Sequence, residues 1–151
     1  MLFNGIFFRV EIITIFGTTY SFITVQSSKI VSICTSEQED YIVYRYGKMG
    51  SIESEFPKNR VDSWNMFSFS SYLRGGGAEN DGLDLNYLSL DNGRFQYTIY
   101  DEYSSQDNQY ETGVIVTELT INKETDIRGL ASTRQGSLQL LRDSKVPKED
   151  E

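Results

Sequence analysis

The chain has 151 residues, with 14 Lys plus Arg against 22 Asp plus Glu, no His and one Cys, for a net charge of -8. That length suits one domain that buries roughly 70% of its unfolded surface, and the acidic excess argues against a nucleic-acid binder, which needs Lys and Arg to displace counterions from phosphates. Without His there is no Ser-His-Asp or Cys-His catalysis and no His zinc site, and the lone Cys34 can form neither an internal disulfide nor a thiolate cage. Residues 1–16 are β-branched and aromatic, which predicts a strand. A degenerate export signal is the alternative, because Arg9 and Glu11 interrupt the apolar run. The same interruption makes it too short for a membrane span. Residues 20–25 and 29–34 then read as strands around a turn at Gln26-Ser27-Ser28. Residues 41–46 and 51–56 flank Gly47-Lys48-Met49-Gly50, whose two glycines can supply positive φ. Residues 65–73 alternate Phe67, Phe69 and Ser71 against Met66, Ser68, Ser70 and Tyr72.

The strongest local signal is Asp91-Asn92-Gly93, which joins residues 83–90 to 94–100. Asn-Gly between two apolar-rich runs predicts a β-hairpin. Phe95, Tyr97 and Ile99 share one face of the second run, so Phe95 is a core candidate. A last hairpin pairs residues 113–121 with 125–128 across Asn122-Lys123-Glu124. Ser137 is placed to cap a short helix from Leu138 to about Asp143, with Leu138 and Leu141 on its inner face. The charged segment 145–151 is expected to fray as a flexible tail, leaving residues 1–144 as one domain. The expectation is an all-β antiparallel fold, a sandwich or partly open barrel of about eight to ten strands with one short C-terminal helix.

Three stretches carry a family resemblance: Ser-Lys-Ile-Val-Ser-Ile-Cys at 28–34, Tyr-Ile-Val-Tyr-Arg-Tyr-Gly at 41–47 and Ile-Glu-Ser-Glu-Phe-Pro at 52–57. With Gly75-Gly76-Gly77 and Tyr97-Thr98-Ile99-Tyr100, the chain over residues 22–142 resembles a group of small bacterial all-β proteins that are usually exported to the periplasm. The resemblance implies an all-β fold and an envelope location, and no catalytic residues. A cytoplasmic location is the alternative where no export signal precedes the domain.

Charge is unevenly placed. Residues 75–111 hold eight acids, Glu79, Asp81, Asp84, Asp91, Asp101, Glu102, Asp107 and Glu111, against a single base, Arg94. Both flanking regions are close to neutral. Tyrosines 87, 97, 100, 103 and 110 are interleaved with these acids. Rigid amphipathic Tyr side chains and carboxylates together suit a surface that meets a basic protein. The partner-binding candidates are Arg74, Gly76, Glu79, Asp81, Asp84, Asp101, Glu102, Tyr103, Asp107, Tyr110 and Glu111, in loops at 74–82 and 101–111. The bland alternative is a solvated face with its tyrosines in the sheet.

Other chemistry is weakly supported. The Gly75–Gly77 run beside Arg74 can point N–H groups at an anion, but it lacks the spacing of a phosphate loop. Glu79, Asn80, Asp81 and Asp84 offer oxygen ligands without the spacing of a calcium loop, so no metal or other cofactor is assigned. Asp101-Glu102 and Glu53/Glu55 are carboxylate pairs of the kind a glycosidase uses, but Glu53 and Glu55 alternate like a solvated strand face. Cys34 reads as a buried inert thiol, and Trp64 as packing. The function expected is therefore a non-enzymatic inhibitor or immunity-type protein that occludes a basic hydrolase or toxin. A nucleic-acid mimic and a carbohydrate module using Tyr and Trp64 are the alternatives.

Overall fold

The computed structural model describes residues 18–77 and 81–149. The segment read as a strand or an export signal, residues 1–16, lies outside them. Nine strands follow: β1 (Thr18–Thr24), β2 (Ile30–Thr35), β3 (Ile42–Lys48), β4 (Ser51–Phe56), β5 (Phe67–Arg74), β6 (Leu83–Asn92), β7 (Phe95–Ser104), β8 (Gln109–Glu118) and β9 (Lys123–Gly136). They make one sheet in the order β4-β3-β2-β1-β9-β8-β7-β6-β5, antiparallel at every pairing. The sheet curls into a half-barrel, so the partly open barrel holds and the sandwich does not. Among the described residues no helix is long and apolar enough to cross a membrane.

The connectivity requires the curl. Two meanders, β1 to β4 and β5 to β9, join where β1 pairs with β9. The outermost strands, β4 and β5, are consecutive in sequence, linked only by residues 57–66. In a flat nine-stranded sheet they would lie about 38 Å apart at the usual strand spacing of ~4.8 Å. The eleven Cα steps from Phe56 to Phe67 span at most about 40 Å when fully extended, with nothing to spare. Here four of the ten linking residues are wound into a 3₁₀ turn, Ser63–Met66. Curling brings the edges together, and the Phe56 and Phe67 rings sit 6.0 Å apart across the seam. Tyr44 of β3 and Tyr97 of β7 likewise meet across the interior at 6.0 Å.

The concave face holds the core. Tyr20, Phe22, Ile33, Ile42, Phe69, Leu88, Ile99 and Val114 are at most 1% exposed. The alternation read in residues 65–73 is correct, with Phe67 and Phe69 inside. Phe95 shares the inner face of β7 with Tyr97 and Ile99, but it sits at the hairpin tip, half-buried and outside the core cluster.

Turn positions shift by one to three residues from the sequence reading. Asn92 pairs with Phe95, so the β6–β7 turn is Gly93-Arg94. Gly93 takes φ +63 at the first turn position, where a type II′ turn needs glycine. At the β3–β4 turn only Gly50 has positive φ, because Gly47 remains in β3. The last hairpin turns at residues 119–122, since Glu118 pairs with Lys123. Strand β9 is much longer than expected: its first half pairs with β8 and its second half with β1.

The predicted helix is a 3₁₀ turn, Leu138–Leu141, with Ser137 Oγ accepting from the Gln139 N–H at 3.1 Å. Residues i and i+3 eclipse in that geometry, so Leu138 and Leu141 both enter the core. The tail expected to fray is docked over residues 146–149. Val146 is 2% exposed. Phe69 N–H donates to Pro147 O at 2.8 Å and Glu149 N–H donates to Phe69 O at 2.9 Å, a parallel bridge on the free edge of β5.

Candidate functional site

Apart from Asp91, which lies at the other end beside the β6–β7 turn, the described acids of segment 75–111 map to one end of the half-barrel. The connection after β5 and the turn between β7 and β8 are stitched together there. Ser105 N–H donates to Gly82 O at 2.9 Å, and Gly82 N–H donates to Ser105 Oγ at 2.6 Å. A Cβ on Gly82 would lie 3.2 Å from both that hydroxyl and the Gly76 N, a tight fit on either side. Arg74 Nε donates to Asp81 O at 2.8 Å and braces the same connection. Gly76 stands against Gly82, a Cβ at Gly75 or Gly77 would meet no described residue, and none of the three has positive φ. Glu79 and Asn80 lie outside the described residues.

The segment 101–111 is not a loop. Strand β7 runs to Ser104 and β8 starts at Gln109, which leaves a four-residue turn. Strand alternation therefore divides the candidate residues between two faces. Asp101, Tyr103, Tyr110 and Thr112 face the concave side. Glu102 and Glu111 face the convex side, directly opposite each other across the β7–β8 ladder. Asp107 and Glu111 are exposed. Like charges directly opposite on neighbouring strands repel. Among the described residues the one side-chain hydrogen bond to this pair is from the Tyr87 hydroxyl to Glu102 at 2.6 Å. Asp81, Glu102, Asp107 and Glu111 make no ion pair with a described residue.

The concave side carries a polar network in which the buried Asn86 Oδ1 and Arg142 Nε have no partner among the described residues. Asp101 is 2% exposed and pairs with Arg134 at 2.7 Å. Its other oxygen accepts from the Leu138 N–H at 3.1 Å and from Ser137 Oγ at 3.3 Å, which fixes the 3₁₀ turn against β7. Arg134 also donates to the Tyr20 hydroxyl at 3.2 Å, and its guanidinium stacks 3.7 Å from the Tyr110 ring centroid. Tyr20 in turn donates to Thr112 Oγ1 at 2.6 Å. Burial, then the nearby Asp101 charge, raise the Tyr20 phenol pKa. Burial opposes the Arg134 charge, but Asp101 and Tyr20 outweigh it and raise the guanidinium pKa. Asp84 is tied to Arg142 and accepts from Asn86 Nδ2 at 2.8 Å. A recess of about 160 Å³ opens beside this network. Its carboxylates are neutralised from within, so it is a structural joint rather than a charged site.

Protein-family models, curated proteins and solved structures give no match to the chain.

Other candidates resolve by geometry. Glu53 pairs with Lys29 and Glu55 with Arg45, each at 2.7 Å, on edge strand β4. Asp101 and Glu102 point to opposite faces and cannot flank one bond. Cys34 is 1% exposed. Trp64 is 7% exposed and donates its indole N–H to Glu39 O at 2.9 Å, so it offers no platform to a sugar. The residues that sequence reasoning missed are Tyr20, Arg134, Arg142 and Ser137 as partners of the acidic segment. The local signal for Arg134 was weak: it is one polar residue in a stretch with no clear period.

Proposed function

We propose that this chain is a non-enzymatic binding protein, of inhibitor or immunity type, that occludes a basic protein such as a cell-wall hydrolase or a toxin. The observation that carries this reading is uncompensated like charge on one rim. Glu102 and Glu111 stand opposite each other, Asp107 lies on the adjoining turn, and Asp81 lies on the loop stitched to that turn. A cationic partner relieves that repulsion on binding. Asp84 and Asp101 leave the binding set, because Arg142 and Arg134 hold them internally. Tyr110 is 46% exposed but faces the opposite, concave side, with the Arg134 guanidinium over its ring, so it leaves the binding set as well. A partner in the envelope fits the resemblance to exported proteins.

Charge pairing of this kind raises the association rate and weakens with salt. The test is capture of a partner from the native host at low salt, followed by salt titration. The triple variant Asp107→Asn, Glu102→Gln, Glu111→Gln is run beside the natural chain. The reading expects a basic partner whose association slows by about tenfold or more in the variant. Recovery of no basic partner at low salt rejects it.

A further inference from the structure

The recess of about 160 Å³ on the concave side has hydrogen-bonding capacity that the network around it does not use. Asn86, 2% exposed, forms part of its wall, and Asn86 Oδ1 has no partner among the described residues. The Nδ2 of the same amide is spent on Asp84 Oδ1 at 2.8 Å and Asp101 O at 3.4 Å, which fixes how the amide is turned. Most buried side-chain polar atoms in folded proteins are bonded, so this oxygen calls for a donor. Asp84 beside it has the same deficit. Arg142 and Asn86 both donate to its Oδ1, and among the described residues nothing donates to its Oδ2. Tyr103 gives its proton to Asn108 Oδ1 at 2.8 Å, and Ser137 gives its own to Asp101 Oδ2 at 3.3 Å. What these wall groups have left is lone pairs. Arg142, whose Nε is the other unpartnered atom, does not line the recess.

Charge decides which donors fit. Asp84 and Asp101 are already matched by Arg142 and Arg134, so an entering cation would give up its hydration against no net opposite charge. A neutral ligand that carries hydroxyls meets no such cost. Hydroxyls also accept, which suits the exposed Gln139 amide on the recess wall, whose side chain bonds to no described residue. Tyr103 and Tyr110, paired across β7 and β8 with ring centroids 4.8 Å apart, supply an aromatic border for the apolar face of a ring. The volume is below the ~300 Å³ of a drug-sized pocket, so one ring fills it. We infer that this recess binds a single sugar ring, with adjacent hydroxyls donating to Asp84 Oδ2 and Asn86 Oδ1. The site is on the face opposite Glu102 and Glu111 and does not depend on the acidic-rim reading.

The test titrates the isotope-labelled full chain with the methyl glycosides of glucose, galactose, mannose and N-acetylglucosamine, read by amide chemical shifts. The expected result is saturable shifts of the Asn86 side-chain amide and of the Tyr103 and Gln139 signals with at least one of them. The Kd is expected on the order of 1 mM, about what a dozen heavy atoms supply. Tyr103→Ala, near the end of β7, is expected to weaken binding by about tenfold with the thermal midpoint nearly unchanged. Asn86→Leu keeps the volume, removes the acceptor and is expected to abolish binding; where it does not fold, Tyr103→Ala decides. A trisaccharide ending in the bound ring separates the two sources of such a ring. Equal or tighter binding assigns the recess to a glycan end, and loss of binding assigns it to a free sugar; either supports the site. No saturable shift with any of the four glycosides overturns it and leaves a hydrated recess only. Shifts that avoid Asn86 and Tyr103, or binding unchanged by Tyr103→Ala, also overturn it. Butylammonium binding at the same signals in place of the glycosides overturns the neutral ligand in favour of a basic side chain.

Discussion

Asp101 changes role between sequence and structure. As one of eight acids in a run, it belongs to a surface; at 2% exposure beside Arg134, it belongs to the interior. Removing one member of a buried pair leaves the other charged and unmatched, which costs about 3–5 kcal/mol. Asp101→Asn is therefore expected to destabilise the fold by about that amount, read as a lower denaturant midpoint. Asp107→Asn, on the exposed turn, is expected to change stability by less than about 0.5 kcal/mol. Gly113 is a second residue whose identity is dictated by a neighbour. A Cβ there would lie 2.6 Å from Tyr100 Cζ and 2.7 Å from Ile127 O, because the Tyr100 ring lies across the bare backbone on its way to Asp126. Gly113→Ala is expected to cost about 1–3 kcal/mol by overpacking, with the Tyr100 ring displaced in its near-ultraviolet signal.

At the scale of elements, hairpins were legible and their contexts were not. The Asn92-Gly93 cue found the β6–β7 turn to within one residue, since turn chemistry acts over four residues. It could not say which end of β7 enters the core. Phe69 and Phe95 look equivalent in sequence, each alternating with polar residues on an amphipathic strand. Phe69 lies beneath the docked tail and Phe95 lies at a hairpin tip with Arg94 over its ring. Phe69→Ala is expected to cost about 3–5 kcal/mol, and Phe95→Ala less than half of that, in paired melts. Equal losses would show that the hairpin tip is as well packed as the centre. Strand β9 was missed over residues 129–136 because it carries no clean period: it changes partner from β8 to β1, with a register shift opposite residues 21–23. The tail was misjudged for a related reason. Its charges predict solvation, but one apolar residue, Val146, and two main-chain bonds suffice to dock it.

For the whole molecule, four tyrosines with raised phenol pKa set the alkaline limit. Burial is the first cause that raises the phenol pKa of Tyr20, Tyr44, Tyr87 and Tyr100 above the ordinary 10.0. Neighbouring carboxylates that accept their hydrogen bonds add to it at Tyr87 and Tyr100. The unfolded chain then releases these protons at lower pH than the folded chain. Stability from this source is fully present below pH 10 and falls as pH rises above it towards the folded values. Thermal midpoints are expected to hold up to about pH 10 and to drop steeply beyond, with four of the ten tyrosines ionising only on unfolding. A phenolate absorbance titration in which all ten ionise together in the folded state would contradict this.

The sequence by itself determined the all-β class, bounded the strand number at about eight to ten and assigned the inner faces of β5 and β7, because a period of two and the chemistry of tight turns are local properties. It also located the charge excess between residues 75 and 111. Only the tertiary structure decided what those charges do. Arg134 lies 33 residues from Asp101, and Tyr20 lies 92 residues from Thr112. These partners meet because β9 pairs with β1 and the sheet curls to close over its own core. That closure neutralises the inward acids from within and leaves the outward ones, on the alternate face of the same strands, without a counter-charge.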